Sequence, residues 1–325
     1  MARQRGVARI LWSDDGCGCT EFDPPTAAAP GQTVSAVDQA GAAGAAAVAR
    51  AATVAGAEVA SAMADQQRRF GGVARLYGAP AVARFGAIRI AVVGLGGVGS
   101  WAAEALARSG CGCLRLVDLD HVGLSNTNRQ IHALDGAYGQ AKVDAMAARI
   151  GAIHPGARVE RFDDFVTPEN VAAALAGVTV VLDCTDQVIA KAAMAAYARQ
   201  SGVALVMSGA GGGRVDPTRI RGGDLARAVG DPLLASVRHR LRRQYGFPRE
   251  ARGQAARFGI QAVWSDEPVR RATDTRGVSA GLSCAGYGSA VTVTAPLGFA
   301  MAAWVLDHLA AGAVDGGQRA AETDS

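Results

Sequence analysis

Several short stretches of this 325-residue chain carry the residue types that chemistry on phosphate requires. Asp118-Leu119-Asp120 is followed closely by Ser125-Asn126-Thr127-Asn128-Arg129-Gln130. Arg129 can grip a phosphate through a planar, two-pronged contact. Asn126 and Asn128 can donate to phosphate or to an attacking carboxylate. Lys142 supplies a second, point-like positive charge, and Asp186 can hold a magnesium ion or align a reacting oxygen. An arginine, a lysine and an aspartate–metal pair around a phosphate chain are what phosphoryl or nucleotidyl transfer needs. Taken singly, Arg129 and Lys142 read as solvated charges and Asp186 as a helix cap. Their meaning depends on whether one scaffold brings them together.

The stretch that must do this is Ile88–Asp120. Ile88–Val93 is a short apolar run, as a buried parallel strand should be. Gly94, Gly96, Gly97 and Gly99 follow, at spacings that permit a tight turn, close backbone approach to phosphate, and close packing of helix on strand. Ser100–Ser109 is then expected as a helix whose N-terminus can hold an anion. Leu114–Val117 is the next strand, and Asp118 ends it where a carboxylate can accept ribose hydroxyls.

Beyond it the pattern keeps alternating. Gln140–Ile150 is expected as a helix carrying Lys142, Arg158–Phe162 as a strand, and Thr167–Leu175 as a helix capped by Thr167. Val178–Leu182 is a buried strand ending in Asp183-Cys184-Thr185-Asp186, followed by a helix over Ile189–Gln200 and a strand over Val203–Met207. This is the spacing of strand–helix–strand units. The expected fold is α/β, a Rossmann-like, mostly parallel sheet with helices on both faces. Asp186 then falls beyond the carboxyl end of a strand, where open α/β sheets bind ligands.

From Ser208 the character changes. A glycine cluster leads to a strand-like Arg214–Arg221 interrupted by Asp216-Pro217, a helix over Asp231–Gln244, and a strand over Phe258–Ser265. Asp266–Ser283 reads as a surface loop, and Cys284–Ala310 as a loop running into a closing helix. Arg238, His239, Arg240, Arg242, Arg243, Arg249, Arg252 and Arg257 make this part basic, which suits RNA phosphates or a solvated face. The organisation is thus a disordered Ala/Gly-rich extension over 1–65, with a weak helix near Val37–Ala64, a folded domain over 66–311, and a disordered tail over 312–325. Within the domain, 86–208 is the nucleotide half and 209–311 the substrate side.

Composition sets bounds. Half the residues are hydrophobic, enough for a full core, and the net charge of +4 is compatible with an RNA substrate. The cysteines form two C-x-C pairs, Cys17/Cys19 and Cys111/Cys113, with Cys184 and Cys284 alone. None has the C-x-x-C spacing of a zinc site, so reduced thiols in a cytoplasm are expected. No apolar run near the N-terminus suits a signal peptide. No charged residue occurs between Arg276 and Asp307. The first half of that run is rich in glycine and serine, and Val291–Leu306 is short for a bilayer span. A buried terminal helix is expected in preference to a transmembrane one, with a cytoplasmic location or peripheral attachment at an inner membrane.

The quoted motifs together resemble the ubiquitin-activating-enzyme-like adenylyltransferase superfamily: GLGGVGSWAAEALARSG, LVDLDHVGLSNTNRQIHA, GQAKVDAM and VLDCTD. RRFGGVARLYG, DDFVTPENVA, SGAGGGRVDPTRI and GLSCAGYGSAVTVTA are similar, within it, to the tRNA threonylcarbamoyladenosine dehydratase family. The resemblance spans about Gln66–Leu309. It implies ATP and Mg²⁺ as cofactors and activation of the carboxylate of a threonylcarbamoyl group on an adenosine beside a tRNA anticodon. Ring closure with net loss of water would follow. Carried over by motif, Gly94, Gly96, Gly97, Gly99 and Asp118 contact the nucleotide. Ser125, Asn126, Asn128 and Arg129 face its phosphates with Lys142, and Asp186 binds Mg²⁺ or positions the reacting groups. Arg129, Lys142 and Asp186 are thereby the catalytic set. A homodimer, tRNA as partner, sulfur-relay proteins as further partners and no DNA are also implied.

This chain departs from the superfamily pattern in lacking zinc-binding cysteine pairs, and Ala262 stands where some relatives place a cysteine. A thioester route is therefore not expected, and Cys184 and Cys284 read as packing residues. Two other readings stay open at this level: an adenylyltransferase for a small carrier protein ending in Gly-Gly, and an NAD-dependent oxidoreductase. The latter has no need of an Asn-x-Asn-Arg cluster after its acidic residue.

Overall fold

The computed structural model describes residues 61, 63–249, 256–270 and 287–322, with side chains to 312. Two helices, α1 (63–77) and α2 (Ala79–Ala87), lead into β1 (Arg89–Val93), α3 (Gly99–Arg108) and β2 (Cys113–Val117). Then come α4 (Lys142–Ile153), β3 (Arg158–Phe162), α5 (Val171–Ala174), β4 (Val180–Asp183), α6 (Val188–Ser201) and β5 (Ala204–Ser208). β6 (Ile220–Asp224), α7 (Pro232–Gln244), β7 (Gln261–Ser265) and α8 (Val291–Glu322) complete the chain. All strands join one seven-stranded sheet in the order β3-β2-β1-β4-β5-β7-β6. Every pair is parallel except β6 with β7. The expected Rossmann-like α/β architecture, with its closing helix, is what forms.

The sheet is covered on both faces, and the two-residue period of the strands assigns the faces. Ile90 and Val92 of β1 and Leu114 and Leu116 of β2 pack with α2, α3, α4 and α8. Ala91, Val93, Val181, Leu205 and Met207 pack with α5, α6 and α7 on the other side. β4, central in the sheet, is buried at every position, whereas the edge strand β3 is buried at none.

α8 is the apolar segment whose membrane association the sequence leaves open. Val291–Gly312 is long and apolar enough to cross a membrane by length and composition. Val293, Leu297, Met301, Val305 and Leu309, four residues apart, are instead buried in the core shared with α3. Gly298 lets the two helices touch: a Cβ there would lie 2.4 Å from the Val98 carbonyl oxygen. The backbone of α8 stays helical to Glu322, through most of the segment expected as a tail from residue 312.

Several boundaries differ from expectation for local reasons. The helix expected over Thr167–Leu175 is only Val171–Ala174. Thr167 Oγ1 accepts from the Glu169 and Asn170 amides, and Asn170 Oδ1 accepts from the Thr167 amide, which closes a turn ahead of the helix. The strand expected from Arg214 begins at Ile220 because Asp216 caps a 3₁₀ turn at Pro217–Arg219. The N-terminal extension lies outside the described residues except at 61 and 63–65, which are helical. Cys17, Cys19, Cys284, Arg252 and the loop beyond residue 270 also lie outside the described residues.

Candidate active site

The strand order reverses between β1 and β4, which stay paired to their ends, so the connections leaving them diverge to α3 on one face and α6 on the other. A cleft of ≈ 920 Å³ opens there, lined from β1, β2, β4, β5 and the start of α8. This is the switch point at which open α/β sheets bind ligands. Its floor is glycine because backbone must approach backbone. Gly94 has φ +86°, and a Cβ there would stand 3.1 Å from the Cys184 carbonyl group. A Cβ on Gly99 would strike the Gly94 oxygen at 1.8 Å, so α3 can start directly behind the loop only with glycine at that position.

The acidic residue at the end of β2 is occupied. Leu95 N donates to Asp118 Oδ2 (2.6 Å) and Asp120 N to Oδ1 (2.9 Å). Asp118 thus fixes the glycine loop as well as lining the cleft. Burial pushes its carboxyl above the usual range, and Lys142 together with the two amides pulls it back. Lys142, at the first position of α4, is buried and places Nζ 2.7 Å from Asp120 Oδ2 and 3.8 Å from Asp118 Oδ1. An antiparallel bridge between His121 and Ala141 brings these distant positions together.

Arg129 reaches the cleft along Gly97: a Cβ on that glycine would lie 3.0 Å from Arg129 Cγ and 3.2 Å from Thr294 Cβ. Trp101 Nε1 donates to the Arg129 carbonyl (2.9 Å), and Arg129 Nη1 donates to the Ser125 carbonyl (2.9 Å) and Asn128 Oδ1 (3.0 Å). Asp186 stands exposed at the carboxyl end of β4, and its carboxylate accepts from Gln187 Nε2 at 3.1 Å. Below it Asp183, fully buried, accepts from the Thr185 amide (3.1 Å) and hydroxyl (2.8 Å) and pairs with buried Lys191 (3.2 Å).

Of the residues expected here, Gly94, Gly96, Gly97, Asp118, Arg129, Lys142 and Asp186 line the cleft. Gly99, Ser125, Asn126 and Asn128 do not, and each has a local task. Asn126 Oδ1 caps its own turn by accepting from Gly123 N (3.0 Å), and Asn128 Nδ2 donates to the Ser289 carbonyl (2.7 Å). Val291 N returns a bond to the Asn128 carbonyl (3.1 Å), so Asn128 ties the loop to the start of α8.

The ThiF family pattern matches residues 71–312, which includes every strand, helix and loop that builds the cleft. The chain belongs to the ThiF family. It is 44% identical over 256 residues to the tRNA threonylcarbamoyladenosine dehydratase of Escherichia coli (strain K12), across 75% of this chain and 94% of that protein. It is 41% identical over 249 residues to the protein of the same name from Haemophilus influenzae, again across 75% and 94%. The E. coli dehydratase solved in complex with ATP superimposes with a TM-score of 0.70 at 44% identity, covering 77% of this chain and 96% of that one.

This ThiF-family cleft also holds residues that the sequence did not single out for it. Phe165 and Ile189 are half-exposed apolar side chains at its wall, and Gln130, Arg240 and Thr294 line it too. Arg240 belongs to the basic run on α7, but the run divides. Arg238 donates to the Ala228 carbonyl, Arg242 lies over the Phe258 ring, Arg240 turns to the cleft, and His239 and Arg243 are exposed. Nothing in the spacing of the arginines distinguishes these fates. Cys184 packs its thiol 3.8 Å from Met301 Sδ, and burial pushes its pKa up, so it is not poised as a nucleophile. Ala262 is fully buried in β7.

Proposed function

We propose that this protein uses ATP to activate the carboxylate of threonylcarbamoyladenosine in tRNA and closes the group on itself with loss of water. The observation that carries the reading is identity to dehydratases of that name across nearly their whole length, combined with a glycine-floored cleft lined by Arg129, Lys142 and Asp186. The half-exposed Phe165 and Ile189 offer apolar surface for the adenine, and the loop from Gly94 to Gly97 gives the phosphate chain access to backbone N–H groups.

A carboxylate is a poor electrophile, so its oxygen must first be made able to leave. In this reading the carboxylate oxygen attacks a phosphorus of ATP and displaces the remaining phosphate chain. A heteroatom of the same threonylcarbamoyl group then attacks the carbonyl carbon and gives up its proton to solvent, and the phosphate-bearing oxygen leaves with the bond electrons. The oxygen lost as water thus departs on phosphate. Arg129, held by Ser125 and Asn128, faces the negative charge that builds at phosphorus. Lys142 reaches the same charge by exchanging part of its contact with Asp120.

Asp186 fits a magnesium ion held mainly by nucleotide. Magnesium keeps several waters and takes one or two carboxylates with substrate phosphates. The described residues contain no cluster of three or more acidic, histidine or cysteine ligands. Magnesium bound there would neutralise phosphate charge. The carrier-protein reading lacks its usual cysteine pairs in this sequence, and the oxidoreductase reading leaves Arg129 and Lys142 without a role. We place the enzyme in the cytoplasm, as the free thiols of Cys111, Cys113 and Cys184 suit, with a homodimer and sulfur-relay partners as further parts of this proposal.

The test is ATP turnover with and without tRNA bearing threonylcarbamoyladenosine, followed by mass analysis of the nucleosides. Loss of one water that requires ATP is the expected result, and Arg129→Ala or Asp186→Asn should each reduce the rate by about 10²–10³-fold. ATP consumption with an unchanged nucleoside would overturn the choice of acceptor, and binding of NAD in place of ATP would overturn the nucleotide.

A further inference from the structure

We propose that the first turn of α8 is a part of the phosphate cradle, with the Thr294 hydroxyl donating to a non-bridging oxygen of the bound nucleotide. This rests on the ATP reading above. Thr294 is only 3% exposed, yet its Oγ1 has no hydrogen-bond partner among the described residues. It lines the cleft. Its Cβ lies 3.2 Å from where a side chain would begin on Gly97, and its Cγ2 lies 2.9 Å from the same point on Gly211. Thr294 therefore stands between the glycine loop after β1 and the glycine cluster after β5, facing Arg129 across Gly97.

An unpartnered buried hydroxyl is costly, because it has given up water for nothing. In a helix, threonine normally satisfies its hydroxyl on a carbonyl of the preceding turn. Thr294 Oγ1 makes no such bond, and because Thr294 lines the cleft, the missing acceptor is assigned to a ligand bound there. The placement also suits an anion. Among the described residues α8 is the longest helix, at 32 residues, and its N-terminal end carries partial positive charge. Asn128 holds that end in place through its bond to the Ser289 carbonyl and the bond it receives from Val291 N. The two ends of the cradle are thus coupled: Asn128 supports Arg129 Nη1 on one side and α8 on the other.

Thr294→Val, which keeps shape and removes the hydroxyl, gives the test. The apo variant should melt at or above the wild-type temperature, since a buried polar group without a partner is lost. ATP and AMP should bind about 10- to 100-fold more weakly by calorimetry, the scale of one hydrogen bond to a charged acceptor. Adenosine, which has no phosphate, should bind equally to both proteins. Thr294→Ser should restore ATP binding to within a few-fold. Unchanged ATP affinity in Thr294→Val overturns the proposal while leaving the ATP reading intact. Equal losses for adenosine and ATP, or a serine variant as weak as the valine one, also overturn it, since packing alone would explain them. A wild-type protein that binds no ATP overturns both.

Discussion

Lys142 Nζ lies 2.7 Å from the Asp120 carboxylate and 3.8 Å from that of Asp118, which itself holds the glycine loop through the Leu95 amide. One buried cation therefore serves two acidic groups and, through Asp118, the loop on which the phosphates would rest. Lys142→Ala removes both services. We expect kcat/KM for ATP to fall by about 100-fold or more. Burial already lifts the Asp118 carboxyl, and without its main opposing charge it should rise further, moving the acidic limb of the rate profile to higher pH. A pH–rate profile of the variant checks this; an unmoved acidic limb would separate Asp118 from the control of activity.

The Asp183–Lys191 pair is the next expected weak point. Both side chains are fully buried at 3.2 Å, and burial lifts the Asp183 carboxyl while Lys191 opposes it. Breaking such a pair strands a charge, at a cost of about 3–5 kcal/mol. Lys191→Met should destabilise by that amount in chemical denaturation, whereas Asp183→Asn with Lys191→Met should recover part of it. Additive losses in the double variant would show that the two residues act independently.

The scaffold was legible because it rests on local pattern. A buried strand, glycines at fixed spacing and a terminal acidic residue are all written within Ile88–Asp120, and the strands that follow repeat the same period. What escaped the sequence depends on partners far along the chain. Asn128 reads as a phosphate donor, but its side chain is taken by a carbonyl 161 residues away. Thr294 sits in an apolar run that announces only a core helix. Arg240 is one arginine among many, and the turn of α7 alone decides that it faces the cleft.

Acid should weaken this protein through His132. The ring is 3% exposed, neither nitrogen has a partner among the described residues, and burial with Lys142 and Arg149 nearby lowers its pKa to about 4. The unfolded chain takes up the proton first, near pH 6.5. Between that pH and about 4 the unfolded state binds more protons, so stability falls as the pH falls and levels off below. The slope from this residue is at most about 1.4 kcal/mol per pH unit. His154 is lowered in the same direction, again by burial, and adds to the trend. Replacing His132 with leucine should flatten the curve of unfolding free energy against pH in this window. A slope identical to wild type would assign the acid sensitivity elsewhere.

Gly298 gives the last expectation, because it joins stability to the site. A Cβ there would lie 2.4 Å from the Val98 carbonyl oxygen and 2.9 Å from the Ala102 amide nitrogen. Both are backbone atoms of or next to α3, so neither can swing aside as a long side chain would. Gly298→Ala must push α8 away from α3, at a cost of about 1–3 kcal/mol for an overpacked contact. Gly298 lies one helical turn after Thr294, so the shift carries the first turn of α8 with it. The melting temperature and the ATP affinity should therefore drop together. This differs from Thr294→Val, for which affinity alone should fall. Measuring both quantities for the two variants distinguishes displacement of the helix from loss of a single hydroxyl, and an alanine variant with full ATP affinity would show that the first turn of α8 is not held in place by its crossing with α3.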